Sequence, residues 1–136
     1  MEDLPRRCEV VIDSPRGSVV KRTDDGGVDF LSPLPCPFNY GSVPDTVSGD
    51  GDRIDAIVLG TRLAAGTRVE VEVLAVARFV DAGEEDPKWI CGEAPLTGRA
   101  RLQVNAFFRV YAIAKRALNR ARGRSGATRY DGLELA

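Results

Sequence analysis

The spacing of apolar residues changes once along this chain, at about Arg99, and that change limits the folds open to it. Before it, in residues 67–81, Val69, Val71 and Val73 alternate with charged side chains. A two-residue period is that of a β-strand with one buried face. The second half of the same segment is almost entirely apolar, as in a strand that passes beneath covering elements.

After Arg99 the period becomes that of an amphipathic helix. The apolar residues recur at three- and four-residue steps, at Phe107, Val110 or Tyr111, Ala114 and Leu118. We expect this helix to run to about Ala121, where basic residues complement the helix dipole. Gly123 and Gly126 are then expected to end it.

Shorter strands are expected before the long one. Apolar and β-branched runs bounded by turn residues predict strands at 8–13, 17–23, 28–31, 54–60 and 88–94. The segments 24–27 and 82–87 are expected to be turns, and the proline- and glycine-rich residues 32–53 one long ordered loop. Strands followed by one helix give an α+β, mainly β fold, consistent with a small β-barrel that carries the helix on its outside.

The composition excludes several classes of site. The chain has 136 residues, and we expect a single domain over 1–136. It contains no histidine, which excludes Ser-His and Cys-His nucleophiles and His-ligated metals. Its three cysteines form no close pair, which argues against a disulfide framework and a thiolate zinc site. Without a secretory signal or an apolar run approaching about 20 residues, the chain is expected to be cytoplasmic and not to enter a membrane.

Carboxylates crowd the start of one predicted strand. Asp50, Asp52 and Asp55 lie within six residues. Two carboxylates about 4 Å apart repel by roughly 4 kcal/mol at an effective dielectric of about 20, so such crowding needs a cation or water between them. A second acidic set follows the long strand, at Asp81, Glu84, Glu85 and Asp86. Oxygen ligands without histidine or thiolate select hard cations, chiefly Mg²⁺ or Mn²⁺. A metal site is therefore predicted, with solvated turn carboxylates as the alternative.

Two longer stretches carry a family resemblance. "NYGSVPDTVSGDGDRIDAIVL", followed by "VARFVDAGEEDPKWI", resembles the soluble family I inorganic pyrophosphatases. The family pattern of three spaced aspartates reads "DGDRIDA" here, with Arg53 in the usual proline position. The resemblance runs from about Glu9 to Tyr111 and is most specific between Asn39 and Lys88.

The resemblance implies an OB-like five-stranded barrel with a long C-terminal helix outside it, and Mg²⁺-dependent hydrolysis of pyrophosphate to two phosphates. By position, Asp50, Asp55 and Asp86 would hold the tightest metals, and Asp81 would share a further Mg²⁺ that arrives with substrate. Asp52 would accept the proton of the attacking water. The residues implied around the phosphates are Lys21, Lys88, Tyr40 and Tyr111, and Asp13 stands where the family usually has a glutamate.

Several positions depart from the family pattern. An acid, an arginine, a tyrosine, a second acid and a lysine are replaced, respectively, by Thr23, Val28 or Phe30, Cys36, Ala82 and Ala112. The metal ligands are thus largely kept, whereas part of the phosphate-binding shell is changed. Loss of one charge-assisted hydrogen bond costs about 1.5–3 kcal/mol, so reduced activity is expected. Arg16, Arg22, Arg53 and Lys115 are candidates to replace the lost cations.

Two alternatives to a full enzyme follow from these features. A pyrophosphatase-like protein could bind metal or an anionic ligand without turnover. An OB-type barrel could bind nucleic acid through the arginines near 116–124, although an acidic barrel end would repel phosphates and makes this partner the less favoured one. The resemblance also implies a homo-oligomer.

Overall fold

The computed structural model describes residues 4–18, 20–22, 28–31, 36–49 and 51–136. The strands are β1 (Arg7–Ser14), β2 (Val20–Arg22), β3 (Val28–Leu31), β4 (Asn39–Val43), β5 (Ile54–Val58), β6 (Arg68–Asp81), β7 (Glu84–Glu85), β8 (Lys88–Gly92) and β9 (Arg129–Leu135). One helix, α1 (Gly98–Ala121), separates β8 from β9. In the described part of the chain no helix is long and apolar enough to span a membrane.

Five strands close into a ring. Neighbours pair in the order β1, β4, β5, β8 and β6, and the first part of β6 pairs back with β1. The pairs are antiparallel except for β5 with β8, which is parallel. The 14-residue β6 closes the ring because its first part pairs with β1 and its later part with β8 and β9. Outside the ring, β2 and β3 form a separate antiparallel pair.

The ring has an inner and an outer apolar layer. Inside it pack side chains that include Val10, Val58, Val71, Val76 and Cys91. Neighbouring residues on the same strands, such as Ile57, Ala77 and Ile90, face outward and pack against α1. This two-residue alternation on the strands confirms the expected mainly β fold with a helix on its outside.

The helix has the expected limits but turns a different face to the sheet. Its buried residues are Val104, Phe108, Tyr111, Ala112 and Asn119, whereas Val110 is 53% exposed. The spacing left Val110 and Tyr111 as alternatives, and Tyr111 is the buried one. The face is therefore centred on Phe108 rather than on the predicted Phe107, Ala114 and Leu118 set.

The prediction of one loop over 32–53 is wrong for Asn39–Val43, which forms β4 between β1 and β5. Gly41 explains the error. A Cβ there would lie 2.2 Å from the Val11 carbonyl oxygen, so glycine is required by the close approach of β1. In the sequence, this glycine argued against a strand at 39–43. In the fold, it allows β4 to lie against β1.

Two further strands were not predicted. β9 lies after the helix and pairs with β6 over residues 75–80. The turn predicted at 82–87 is shorter than expected, because Ala82 and Gly83 alone connect Asp81 to Glu84 in a β-hairpin. Ala82 has φ +50° and Gly83 φ +85°, the left-handed conformations of a tight two-residue connection.

The segment between α1 and β9 is fastened to this hairpin turn. The Gly83 N–H donates to the Ala127 carbonyl at 2.8 Å, and the Ala82 N–H to the Thr128 hydroxyl at 3.0 Å. At Gly126 a Cβ would lie 2.6 Å from the Ala82 carbonyl carbon and oxygen. The contact is backbone against backbone, so no side-chain movement can relieve a clash there.

We therefore predict that Gly126→Ala destabilises the protein by about 1–3 kcal/mol more than Gly123→Ala. Both glycines have positive φ, +97° and +72°, so both variants carry the same kind of backbone strain, but a Cβ at Gly123 meets nothing within 4 Å. Urea unfolding of the two variants measures the difference. Equal losses of unfolding free energy would contradict the packing described for this turn.

Candidate metal and anion site

One ammonium group lies between two carboxylates at an end of the strand ring. Lys88 Nζ is 2.7 Å from Asp55 Oδ2 and 2.7 Å from Asp86 Oδ2. The parallel pairing of β5 with β8 places Asp55 opposite Lys88, and Asp86 lies two residues before Lys88. The three side chains are 3%, 13% and 10% exposed for Lys88, Asp55 and Asp86, so this is a largely dehydrated cluster.

The charges of this cluster depend on one another. Burial alone would lower the pKa of Lys88, but Asp55 and Asp86 act against it, and the pKa of Lys88 is raised well above its ordinary value. The Tyr40 hydroxyl donates to Asp55 Oδ2 at 2.9 Å. Burial, followed by the charge of Asp55, raises the pKa of Tyr40, so this phenol stays protonated as a donor.

Tyr111 brings the helix to the same cluster. It packs in the core, with its ring 5.6 Å from those of Phe79 and Phe107. Burial raises the pKa of Tyr111 to about 12, and its charged neighbours include Lys88 and Asp55. Tyr111 is thus both a core residue and a neighbour of the buried ion pairs.

Asp81 lies at the end of β6, against the C-terminal half of α1. Asn119 Nδ2 donates to Asp81 Oδ1 at 2.6 Å, and Arg124 Nη1 donates to Asp81 Oδ2 at 3.5 Å. Lys115 Nζ is 3.8 Å from the same Oδ2. Asn119 also donates to the Thr128 hydroxyl, so this second polar cluster joins β6, the helix and the residue before β9.

The other proposed residues take different positions. The Asp52 side chain is exposed in the turn before β5. The backbone carbonyl oxygen of Asp52 accepts a hydrogen bond from the Ser48 N–H at 2.7 Å. Asp13 is buried, and it is the extra residue of an irregularity in β1 opposite β4. Lys21 lies in β2, but its side chain falls outside the described residues, as does Asp50 altogether.

Within the described ranges, no three acidic or cysteine side chains gather around one point. Two acidic side chains, Asp55 and Asp86, converge instead on a single positive atom, the Lys88 nitrogen. Both present carboxylate oxygens, the donors that a hard divalent cation prefers. The two residues fit such a cation as a pair, and the third ligand implied by the resemblance, Asp50, is outside the described residues.

A cavity of about 640 Å³ lies elsewhere, on the side of α1 that faces Phe38 and Leu59. Arg16 is the one charged side chain among its lining residues in the described part of the chain. A mostly apolar lining does not suit a metal or a multiply charged anion. The ion cluster, rather than this cavity, is therefore the candidate functional site.

Sequence reasoning assigned no role to Asn39. This buried side chain accepts hydrogen bonds from the Arg16 and Leu63 N–H groups at 3.1 and 2.8 Å. Its amide donates to the Val58 and Thr61 carbonyls at 3.2 and 2.7 Å. Four bonds from one side chain fix the loops beside β4. An asparagine between two aromatic residues was the only signal in the sequence.

Three of the positions that depart from the family pattern have described side chains, and the structure explains each. Cys36 is 4% exposed, and burial raises the pKa of its thiol to about 11. Ala112 is 3% exposed in the core between helix and sheet. Ala82 occupies the left-handed position of the hairpin turn. Thr23 is outside the described residues, and for Val28 and Phe30 only the backbone is described.

Replacing Lys88 by an uncharged residue tests how much its ammonium stabilises the buried carboxylates of Asp55 and Asp86. We predict that Lys88→Met lowers the free energy of unfolding by about 3 kcal/mol or more in metal-free buffer, because Asp55 and Asp86 lose their shared partner. The matched change is Arg68→Met, which removes an exposed 2.8 Å pair with Glu9 and should cost less than about 1 kcal/mol. Denaturant unfolding measures both. Similar small losses would contradict the buried arrangement.

Comparison with known proteins identifies the family. A family model described as inorganic pyrophosphatase matches residues 10–129. A curated inorganic pyrophosphatase of Gluconobacter oxydans is 35% identical over 98 residues, covering 66% of this chain and 57% of that protein. One from Haemophilus influenzae is 43% identical over 56 residues, covering 40% of this chain and 32% of that protein. The chain thus matches between about a third and somewhat over half the length of these relatives.

Solved structures give the same result over more of the chain. The inorganic pyrophosphatase of Thermus thermophilus superposes with a TM-score of 0.77 at 26% identity, covering 99% of this chain and 86% of that one. That of Neisseria gonorrhoeae gives 0.72 at 26% identity, covering 93% and 81%. Because the family model spans most of the chain and the folds agree, this chain belongs to the inorganic pyrophosphatase family.

Proposed function

We propose that this chain hydrolyses inorganic pyrophosphate to two phosphates with Mg²⁺, or Mn²⁺ in its place, acting as one domain over residues 1–136. The observation that carries the proposal is the convergence of Asp55 and Asp86 on one buried positive atom. Family membership supports the reaction, and the oxygen donors support a hard divalent cation.

The metal ligands in this proposal are Asp55, Asp86, Asp50 and, for a further ion, Asp81. When bound, divalent cations neutralise phosphoryl oxygens and lower the pKa of a water molecule. The Tyr40 hydroxyl holds Asp55 in one orientation through its 2.9 Å hydrogen bond. Asn119 does the same for Asp81 at 2.6 Å. These donors fix the carboxylates before any ion arrives.

Other residues are proposed to accept the proton of the attacking water and to bind the phosphoryl oxygens. The exposed Asp52 accepts the proton of the attacking water as the new O–P bond forms and the bridging P–O bond breaks. Lys88 is proposed to donate to phosphoryl oxygens and to stabilise charge on the departing phosphate, because its ammonium already lies among the ligands. Lys21 and Tyr111 are proposed to contact the phosphates, as the resemblance implies, and Asp13 is kept as a site residue in the place of the family glutamate.

A binding protein without turnover is the second candidate. Cys36 and Ala112 stand where the family pattern has a tyrosine and a lysine, so neither position supplies a phenol hydroxyl or an ammonium to an anion. This observation favours weaker phosphate binding than in a member with the full family pattern. A nucleic-acid module has less support, because the central carboxylates repel phosphates.

We also propose that the chain self-associates and that it is located in the cytoplasm. Self-association is supported by apolar side chains that face solvent along α1, namely Leu102, Val110 and Ile113, which are 72%, 53% and 64% exposed. A cytoplasmic location rests on the sequence alone.

The reaction is tested by phosphate release from pyrophosphate with magnesium. We predict that Asp52→Asn lowers kcat by about 10²–10⁴-fold, the usual contribution of a general base. Asp45→Asn is the matched control, since Asp45 is an exposed aspartate of the same turn region with φ +62°, a conformation that asparagine also accepts. Its rate should equal that of the wild type.

Chelation by EDTA should abolish the wild-type rate, and added magnesium should restore it. Equal rates for the Asp52 variant and the wild type would remove Asp52 from the mechanism. A wild-type rate no higher than the uncatalysed one, together with magnesium binding, would select the binding protein instead.

A further inference from the structure

We propose that Cys8 and Cys91 form an oxidation site, at which a hydroperoxide converts the two thiols into a disulfide that joins β1 to β8. The site is independent of the proposed hydrolysis of pyrophosphate. It gives a chemical role to two of the three cysteines, all of which are free thiols in this structure.

The strand register explains why these two cysteines meet, although they are 83 positions apart in the sequence. Cys8 on β1 pairs with Val71 of β6, and Cys91 on β8 pairs with Val73 of the same strand. Val71 and Val73 are two residues apart and therefore face the same side, which is the interior of the ring. Cys8 and Cys91 thus flank β6 in the inner layer, and their sulfur atoms are 4.0 Å apart.

The start of β1 is the part of the pair that can move. A disulfide holds its sulfur atoms about 2.05 Å apart, so these two must approach each other by about 2 Å. The first residues of β1 pair with β6 alone, because the pairing of β1 with β4 begins only at Val11. In contrast, β8 is paired on both sides, with β5 and with β6. We therefore expect Cys8 to move toward a fixed Cys91.

The two thiols have different surroundings, and these assign them different parts in the reaction. Cys8 is half-buried, whereas Cys91 is fully buried. The hydrogen bond from the Cys91 thiol, together with the positive charge of Arg7, lowers the pKa of Cys8 against the effect of its partial burial. The same hydrogen bond and burial raise the pKa of Cys91. Cys8 is thus the reactive thiolate, and Cys91 is the thiol that attacks its oxidised form.

The reaction takes two steps. First the Cys8 sulfur attacks one peroxide oxygen, so that an S–O bond forms, the O–O bond breaks and the departing oxygen leaves as water. Cys8 is then a sulfenic acid, oxidised by the two electrons that the peroxide has gained. Next the Cys91 sulfur attacks the Cys8 sulfur, the S–O bond breaks, and the departing hydroxide takes the Cys91 proton. Two thiols and one hydrogen peroxide thus give one disulfide and two waters.

The third cysteine provides an internal control. Cys36 is 4% exposed and lies in the outer layer between the sheet and α1, whereas Cys8 and Cys91 belong to the inner one. Burial raises the pKa of the Cys36 thiol to about 11. A thiol that is buried and protonated reacts slowly with a peroxide. Oxidation is therefore expected to be selective for Cys8 and Cys91.

The test is mass spectrometry of the reduced protein after treatment with a stoichiometric amount of hydrogen peroxide. Free thiols are afterwards blocked with N-ethylmaleimide in denaturant. We expect the chain to lose about 2 Da, the mass of two hydrogens, and to take up a single maleimide, at Cys36. Proteolysis should release the peptide that contains Cys8 linked to the one that contains Cys91, and dithiothreitol should separate them.

Two variants separate the thiols. Cys8→Ser should give no linked peptide, and its Cys36 and Cys91 should both take up maleimide after peroxide treatment. Cys36→Ser is the matched control, and it should form the bond between Cys8 and Cys91 as the wild type does. The peptide map of the wild type does not depend on whether either variant folds.

The proposal is overturned if Cys8 and Cys91 of the wild type both take up maleimide after peroxide treatment, which is the result for two thiols that only pack together. A sulfinic acid at Cys8 without a bond to Cys91, a disulfide between two chains, or oxidation of Cys36 as fast as that of Cys8 would also overturn it.

Discussion

The ammonium of Lys88, held at 2.7 Å from both Asp55 and Asp86, is the interaction on which the site depends. A carboxylate of β5 and one of the segment between β7 and β8 can share a largely dehydrated region only because a cation lies between them. The parallel pairing of β5 with β8 provides this geometry, since it sets Asp55 opposite Lys88. The closed ring of strands covers the cluster on one side. The helix covers it on another, so water has little access.

The ring positions the candidate ligands Asp55 and Asp81, whereas the helix supplies further polar groups around them. From α1, Asn119 binds Asp81, and Lys115 approaches the same carboxylate. Tyr40 contributes from β4 by donating to Asp55. Each candidate metal ligand with a described side-chain bond is therefore oriented by a neighbour on another element, which is how a protein prepares oxygen ligands for an ion.

Much of this could be predicted from the sequence where a local period was strong. The alternation in β6 and the three- and four-residue steps of α1 gave those elements nearly their observed limits. β4 was missed because Gly41 is explained only by the Val11 carbonyl of another strand. The pairing of Asp81 with Asn119 was missed for a related reason, since it joins residues 38 positions apart. Spacing along the chain does not encode such contacts.

A crystal structure with magnesium and methylene diphosphonate tests the central claim most directly, namely that Asp55 and Asp86 jointly hold a divalent cation. The account predicts an ion with oxygens of both residues at about 2.0–2.1 Å, and Lys88 turned toward a phosphonate oxygen. A structure at saturating magnesium with no ion at these oxygens, and with Lys88 still bridging the two carboxylates, would contradict it.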